Sequence, residues 1–170
     1  MHQPSGAAFD AVLLLHVGCA LVGLVATLAA TTTAGRLERS VSSSTPLSEP
    51  LRRYFRPGFN WAGRIVYGIP VFGFVLVAMS GGDYALSEGW VLGGVALFVG
   101  VALLGEGVLW PAERRLQRAV TAAGAADVAG ATQGSVSDAA ALRDARTMRR
   151  AGGAVLVLLV AGMVLMVAQP

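Results

Sequence analysis

GWVLGGVALFVGVALLGEGVLW, Gly89 to Trp110, decides how the rest of this chain is read. It is uncharged from Gly89 to Gly105, then carries one carboxylate, Glu106, and closes on Trp110 and Pro111. A helix rises about 1.5 Å per residue, so about 20 such residues cross a hydrocarbon core about 30 Å thick. The stretch therefore predicts a transmembrane helix. Its small residues Gly89, Gly93, Ala96, Gly100 and Gly107 recur at steps of four, three, four and seven. Such steps gather them on one face, where a neighbouring helix can approach closely. Packing alone accounts for a stripe of this kind, since glycine is common in membrane helices.

Three more apolar runs accompany it. Ala11 to Gly35 has no formal charge, though it holds His16; Ile65 to Gly82 and Ala151 to Pro170 have none. Only 14% of the 170 residues are charged, and the mean hydropathy is +0.64. Soluble domains carry about 25% charged residues. The predicted fold class is all-α: an integral membrane four-helix bundle, up-down-up-down, in one domain. Its spans fall at about 9–33, 61–82, 89–110 and 151–168, joined by long loops at 36–60 and 111–150. These use up the chain and leave no room for a separate soluble domain.

All thirteen basic residues are arginine. With the Ala, Gly and Val content this suggests GC-rich coding and a bacterial source. Arg36, Arg39, Arg52, Arg53, Arg56 and Arg64 lie between spans one and two or at the start of span two. Arg114, Arg115, Arg118, Arg143, Arg146, Arg149 and Arg150 lie between spans three and four. The N-terminal tail, the second loop and the C-terminal end carry only Asp10, Asp83 and Glu88. Excess arginine marks the cytoplasmic side. Both long loops are therefore expected in the cytoplasm and both termini outside, in a bacterial inner membrane. The basic balance answers to topology and to anionic lipid headgroups, and a nucleic-acid role is set aside.

Taken in order, the tail lacks a basic n-region, so a retained first helix is expected rather than a signal peptide. Span one holds His16 and Cys19 three apart, hence on one face. An imidazole at that depth faces the bundle interior, either hydrogen-bonded to a neighbouring helix or serving as a ligand. A lone Cys19 is most simply a small buried apolar residue. SVSSSTPLSEP is turn-forming, and LRRYFRPGFNW mixes arginine with rings in the manner of a segment lying along headgroups. Pro70 should kink span two. Arg64 and Glu106 stand at matched depth near the cytoplasmic side, which suggests a structural ion pair, with a proton-carrying Glu106 as the alternative. Glu113 to Val120 is expected to continue span three as a short helix. TAAGAADVAGATQGSVS then reads as low-complexity and flexible. DAAALRDARTMRR, opened by a capping Asp138, should lead straight into span four.

One constellation could hold a metal. The topology puts His16, Met79, Met163 and Met166 in the outer half of the bilayer, with Cys19 deeper and His2 on the tail. Imidazole, thiolate and thioether suit Cu(I), while methionine is also a filler of apolar gaps. Haem held by two histidines would need a dimer, because only one histidine lies in a span. Two histidines offer no Ser/His/Asp or Cys/His catalytic set, and no Walker-type or paired-cysteine motif is present.

LLLHVGCALVG (Leu13 to Gly23), a short outer loop ending in Gly89-Trp90, and Pro-x-x-Arg-Arg-Leu from Pro111 to Leu116 carry a family resemblance. They resemble small bacterial four-span proteins of the DUF2269 type and, more loosely, the CopD-like copper-resistance group. The first likeness implies an uncharacterised inner-membrane protein, and the second would lend His16 a metal role. The function expected is non-enzymatic and requires no cofactor. It is that of an accessory or structural component, embedded in lipid and associating with a membrane-protein partner or with itself. The alternatives are a copper- or haem-handling protein using His16 and nearby methionines, and a small transporter using Glu106.

Overall fold

The computed structural model describes residues 6–43, 45–58, 60–128 and 139–168. Among these the regular elements are all helical. They are α1 (Ala7–Ser42), α2 (Glu49–Tyr54), α3 (Trp61–Arg64), α4 (Gly68–Met79), α5 (Gly89–Leu104), α6 (Trp110–Val128) and α7 (Ala139–Val167). Four helical stretches are long and apolar enough to cross a membrane: Ala7–Ser42, Trp61–Met79, Gly89–Ala125 and Ala139–Val167. His2, Phe59, Asp138 and the predicted flexible stretch from 129 onward lie outside the described residues.

The helices reach further than the apolar runs. α1 continues past residue 33 to Ser42, because Ala34 and Leu37 are fully buried there. Packing thus overrides the weak helix propensity of the serines. α6 continues through Thr121 to Val128, where flexibility was expected. That segment is low in complexity because it is rich in alanine, the strongest helix former. α7 is unbroken from the arginine-rich run into the last apolar stretch, as expected.

Two prolines set the irregular turns. Pro70 has no N–H for the carbonyl of Val66, and its ring crowds that carbonyl. A 3₁₀ turn, Ile65–Tyr67, occupies the place, with the Gly68 N–H donating to Ile65 O. The expected kink is therefore a change of helix type just before Pro70. Pro111 stands in the same relation to Gly107, and a π-helical turn, Gly105–Leu109, precedes it. There the Trp110 N–H reaches back five residues to Gly105 O. Between α4 and α5, Gly81 and Gly82 take φ of 65° and 104°, a region that favours residues without Cβ. Ser80 Oγ donates to Val77 O at 2.8 Å and accepts from Tyr84 N at 3.1 Å, which closes the turn.

The chain divides into two compact units. The first comprises Met1–Thr27, Asn60–Val101 and Leu156–Pro170. Its helices meet at glycines. Gly23 of α1 faces Val66, and Gly68 of α4 faces Cys19 Sγ. A Cβ on Gly73 would lie 3.2 Å from the His16 ring. These contacts step backward along α1 as they step forward toward α4, so the two segments run antiparallel there. A second seam joins α5 to α7. Leu165 covers Gly93, Met166 covers Gly94, Leu158 covers Gly100 and Leu97 reaches Gly162. Of the predicted stripe, Gly93 and Gly100 lie in this seam. A Cβ on Gly89 or Gly107 would meet nothing within 4 Å, and Ala96 is exposed. Ala96 precedes Leu97 by one residue, which puts it about 100° round the helix from the seam.

The second unit comprises Leu28–Phe59 and Ala102–Val155. It has a core of ordinary kind. Leu37, Phe55, Leu116 and Met148 are its largest fully buried side chains, joined by Leu51, Leu109, Trp110 and Ala145. Phe55 was expected at a headgroup surface; it is instead 0% exposed and edge-on to Tyr54 at 5.1 Å, whereas Trp61 in the first unit is 76% exposed. The short α2 turns Leu51 and Phe55 inward and leaves Arg53 outside.

The Cys19–Gly68 contact is tested by coupling. Gly68→Ala should destabilise the protein in detergent, by about 1–3 kcal/mol, as overpacking does. In a Cys19→Ala background the same substitution should cost markedly less, read from thermal unfolding of the four variants of a double-mutant cycle.

Candidate functional site

His16 is half-buried on α1 and its Nδ1 lies 2.8 Å from Ile69 O. A carbonyl only accepts, so Nδ1 donates, and a neutral ring then keeps its lone pair on Nε2. Ile69 stands one residue before Pro70, at the irregular start of α4. Cys19, one turn along α1, is a buried free thiol against Gly68. His16 and Cys19 thus share the interface between α1 and α4.

The methionines stand elsewhere. Met166 packs on Gly94 in the α5–α7 seam. Met163 lines an open apolar groove with Val164, Val167 and Ala168 at the end of α7. Met79 ends α4 and is exposed. Among the described residues, no three His, Cys, Asp or Glu side chains gather as a metal-holding group.

Arg64 ends α3 in the first unit, and Glu106 lies in the π-helical turn in the second. Packing of the Trp110 ring on Gly105 accompanies that turn; a Cβ there would meet the ring at 3.0 Å. π-Helical turns interrupt the backbone ladder and recur at functional sites, so Glu106 stays a residue to test.

The strongest polar cluster was not foreseen. Glu38 of α1 accepts from Arg146 Nε at 3.0 Å and from Arg149 Nε at 2.8 Å, both on α7. The Arg149 stem lies over Gly35, where a Cβ would be 3.3 Å away, and this lets the guanidinium reach one turn on. Arg115 of α6 bonds Asp144 of α7 at 2.9 Å. Partial burial pushes the Glu38 carboxyl up, and the hydrogen bonds and charges of Arg149 and Arg146 outweigh it. Its pKa is held below the usual carboxylate value. The signal available in the sequence was the spacing of Arg146 and Arg149, three apart on one helix face, with no acid beside them to answer both.

A second pattern was also legible. Cys19, Gly23, Thr27, Ala30 and Ala34 recur at steps of four, four, three and four, and all are buried on α1. Thr27 Oγ1 turns back to Gly23 O at 2.8 Å, which satisfies its hydroxyl within the helix. At the other end of the first unit, Glu88 accepts from Ala85 N at 3.1 Å and from Trp90 Nε1, while the Tyr84 and Trp90 rings meet edge to face. The short connection is an ordered knot of polar and aromatic groups.

No family model matches the chain, and neither a curated protein nor a solved structure does. The functional reading therefore rests on the molecule's own geometry.

The Glu38 cluster has a pH signature. A carboxylate with a lowered native pKa adds stability above its unfolded pKa and loses it as pH falls through the native one. Glu38→Gln should lower the unfolding free energy at neutral pH, by less than about 1 kcal/mol per partly exposed pair, read as a lower thermal midpoint. The difference from wild type should shrink on acidification and vanish below the Glu38 titration. A difference constant with pH would mean that Glu38 acts through packing.

Proposed function

We propose that this chain is a multi-pass integral membrane protein of a bacterial inner membrane, with an accessory or structural role and no catalysis. One observation carries the membrane assignment. Among the described residues the exposed large apolar side chains all belong to the first unit, except Leu28 and Leu103, which stand just past its bounds. Twelve of the thirteen arginines belong to the second unit. A soluble protein rarely exposes so much continuous apolar surface. In this reading the first unit is the lipid-embedded part and the second stands in the cytoplasm, with both termini outside and the spans running up-down-up-down.

The accessory role follows from how the first unit is held. Its helix contacts set glycine against side chains of the facing helix, and His16, Thr27 and Ser80 hydrogen-bond to backbone groups. Such an interior supplies shape rather than reactive groups. A membrane-protein partner, or a second copy, would use the apolar exterior.

A second reading is favoured by one specific observation. Donation of Nδ1–H to a carbonyl is the arrangement by which protein histidines present Nε2 to a metal. Copper, or a haem shared by two copies, would be held through Nε2 of His16.

Two experiments separate these readings. In a Cys19→Ala background, Ser42→Cys should be labelled by impermeant maleimide only after the membrane is opened, and Ala85→Cys in intact cells. The reverse pattern would invert the topology, and release of the protein by alkaline carbonate would end the membrane reading. Separately, metal and haem content of the detergent-purified chain should be substoichiometric in wild type and in His16→Ala alike. Stoichiometric copper or haem lost in His16→Ala would install the second reading, while a defined set of co-purifying membrane proteins would support the first.

A further inference from the structure

We propose that the second unit binds the headgroups of anionic phospholipids through Arg36 and Arg39 of α1, Arg114 of α6, and Arg150 of α7. This rests on the bilayer reading above. Arg56, Arg115, Arg146 and Arg149 close ion pairs inside that unit. The four named here are exposed and have no acidic partner among the described residues. Arg36 and Arg39 are three apart, so they share a helix face. Like charges on a shared face repel, and an anion bound between them reverses the sign of that interaction.

Their height along the helices selects the anion. Leu28 is the last exposed large apolar side chain of α1. Arg36 follows eight residues later, about 12 Å on. On α7, Arg150 precedes the first exposed large apolar residue, Val157, by seven residues, about 10 Å. The headgroup layer adds about 5–8 Å to each side of the hydrocarbon core, and an arginine stem covers the remaining gap by snorkelling. In α1 and α6 the Cα–Cβ bonds tilt toward the helix N-terminus, which is the direction of the apolar run. A guanidinium offers a planar fork of donors that fits two phosphate oxygens at once. A phosphatidylcholine headgroup brings its own cation beside the phosphate, whereas phosphatidylglycerol brings none. Clustered guanidiniums therefore discriminate in favour of the anionic lipid.

The test uses the full chain in phosphatidylcholine vesicles, with spin-labelled phosphatidylglycerol or phosphatidylcholine as the probe. The relative association constant is read from the motionally restricted fraction. Wild type should favour phosphatidylglycerol several-fold, and high salt should weaken the preference. Arg36→Gln with Arg150→Gln should reduce it, by up to about five-fold per arginine. Arg36→Lys should keep most of it. Arg115→Gln, which breaks an internal pair, should leave it unchanged while lowering the unfolding temperature. Equal association of the two lipids in wild type, an unchanged preference in the double variant, or an equal loss in Arg115→Gln would each overturn the proposal. A chain that enters neither vesicle would overturn the bilayer reading itself, and this inference with it.

Discussion

The first unit depends on backbones coming close. Its exterior is apolar, and so are its interior contacts, so in lipid little hydrophobic free energy would separate packed from unpacked helices. What remains is van der Waals fit, worth about 0.1–0.2 kcal/mol per atom pair and large only when many atoms touch. Glycine makes that possible. Cys19 reaches the backbone at Gly68, Val66 the backbone at Gly23, and Leu165 the backbone at Gly93. The same requirement places His16, because its ring can bond Ile69 O only if nothing projects from Gly73.

The second unit obeys different physics along the same helices. In α1, the inward residues change from Cys19, Gly23 and Thr27 to Ala34 and Leu37. In α7 they change from Leu159 and Val155 to Met148, Ala145 and Ala141. Against α2 and α6 these build a small conventional core, closed at its edge by the Glu38 and Asp144 ion pairs. Near the change, Pro70 and Pro111 each impose a non-α turn where a carbonyl would otherwise lose its partner. Glu106 lies within one of these turns, which sets its backbone apart from that of every other acid described.

Much of the first unit was legible in the sequence. Twenty apolar residues without charge leave few alternatives to a long helix, and all four such runs are helical. The glycine stripe of α5 was legible only in part. Spacing names a face, but does not say where along it a neighbour crosses, so Gly93 and Gly100 are used while Gly89 and Ala96 are not. The second unit was the harder case. Leu37, Leu51, Phe55 and Leu116 are sparse among arginines, and no segment alone shows the apolar face of a core. Their burial appears only when four distant pieces of chain are brought together. The Glu38 bridges have a signature on one side only, the spacing of Arg146 and Arg149, since the acid that answers them lies 108 and 111 residues away.

That separation has a consequence in time. A growing chain lengthens at about 5–20 residues per second, so roughly 5–20 s elapse between the emergence of Glu38 and that of Arg146. Through that interval α1 holds its carboxylate and its Leu37 without the helix that will cover them. The second unit is therefore an assembly that closes only once α7 has emerged, and a chain truncated before α7 would leave the inner faces of α1 and α6 open to whatever apolar surface lies nearby.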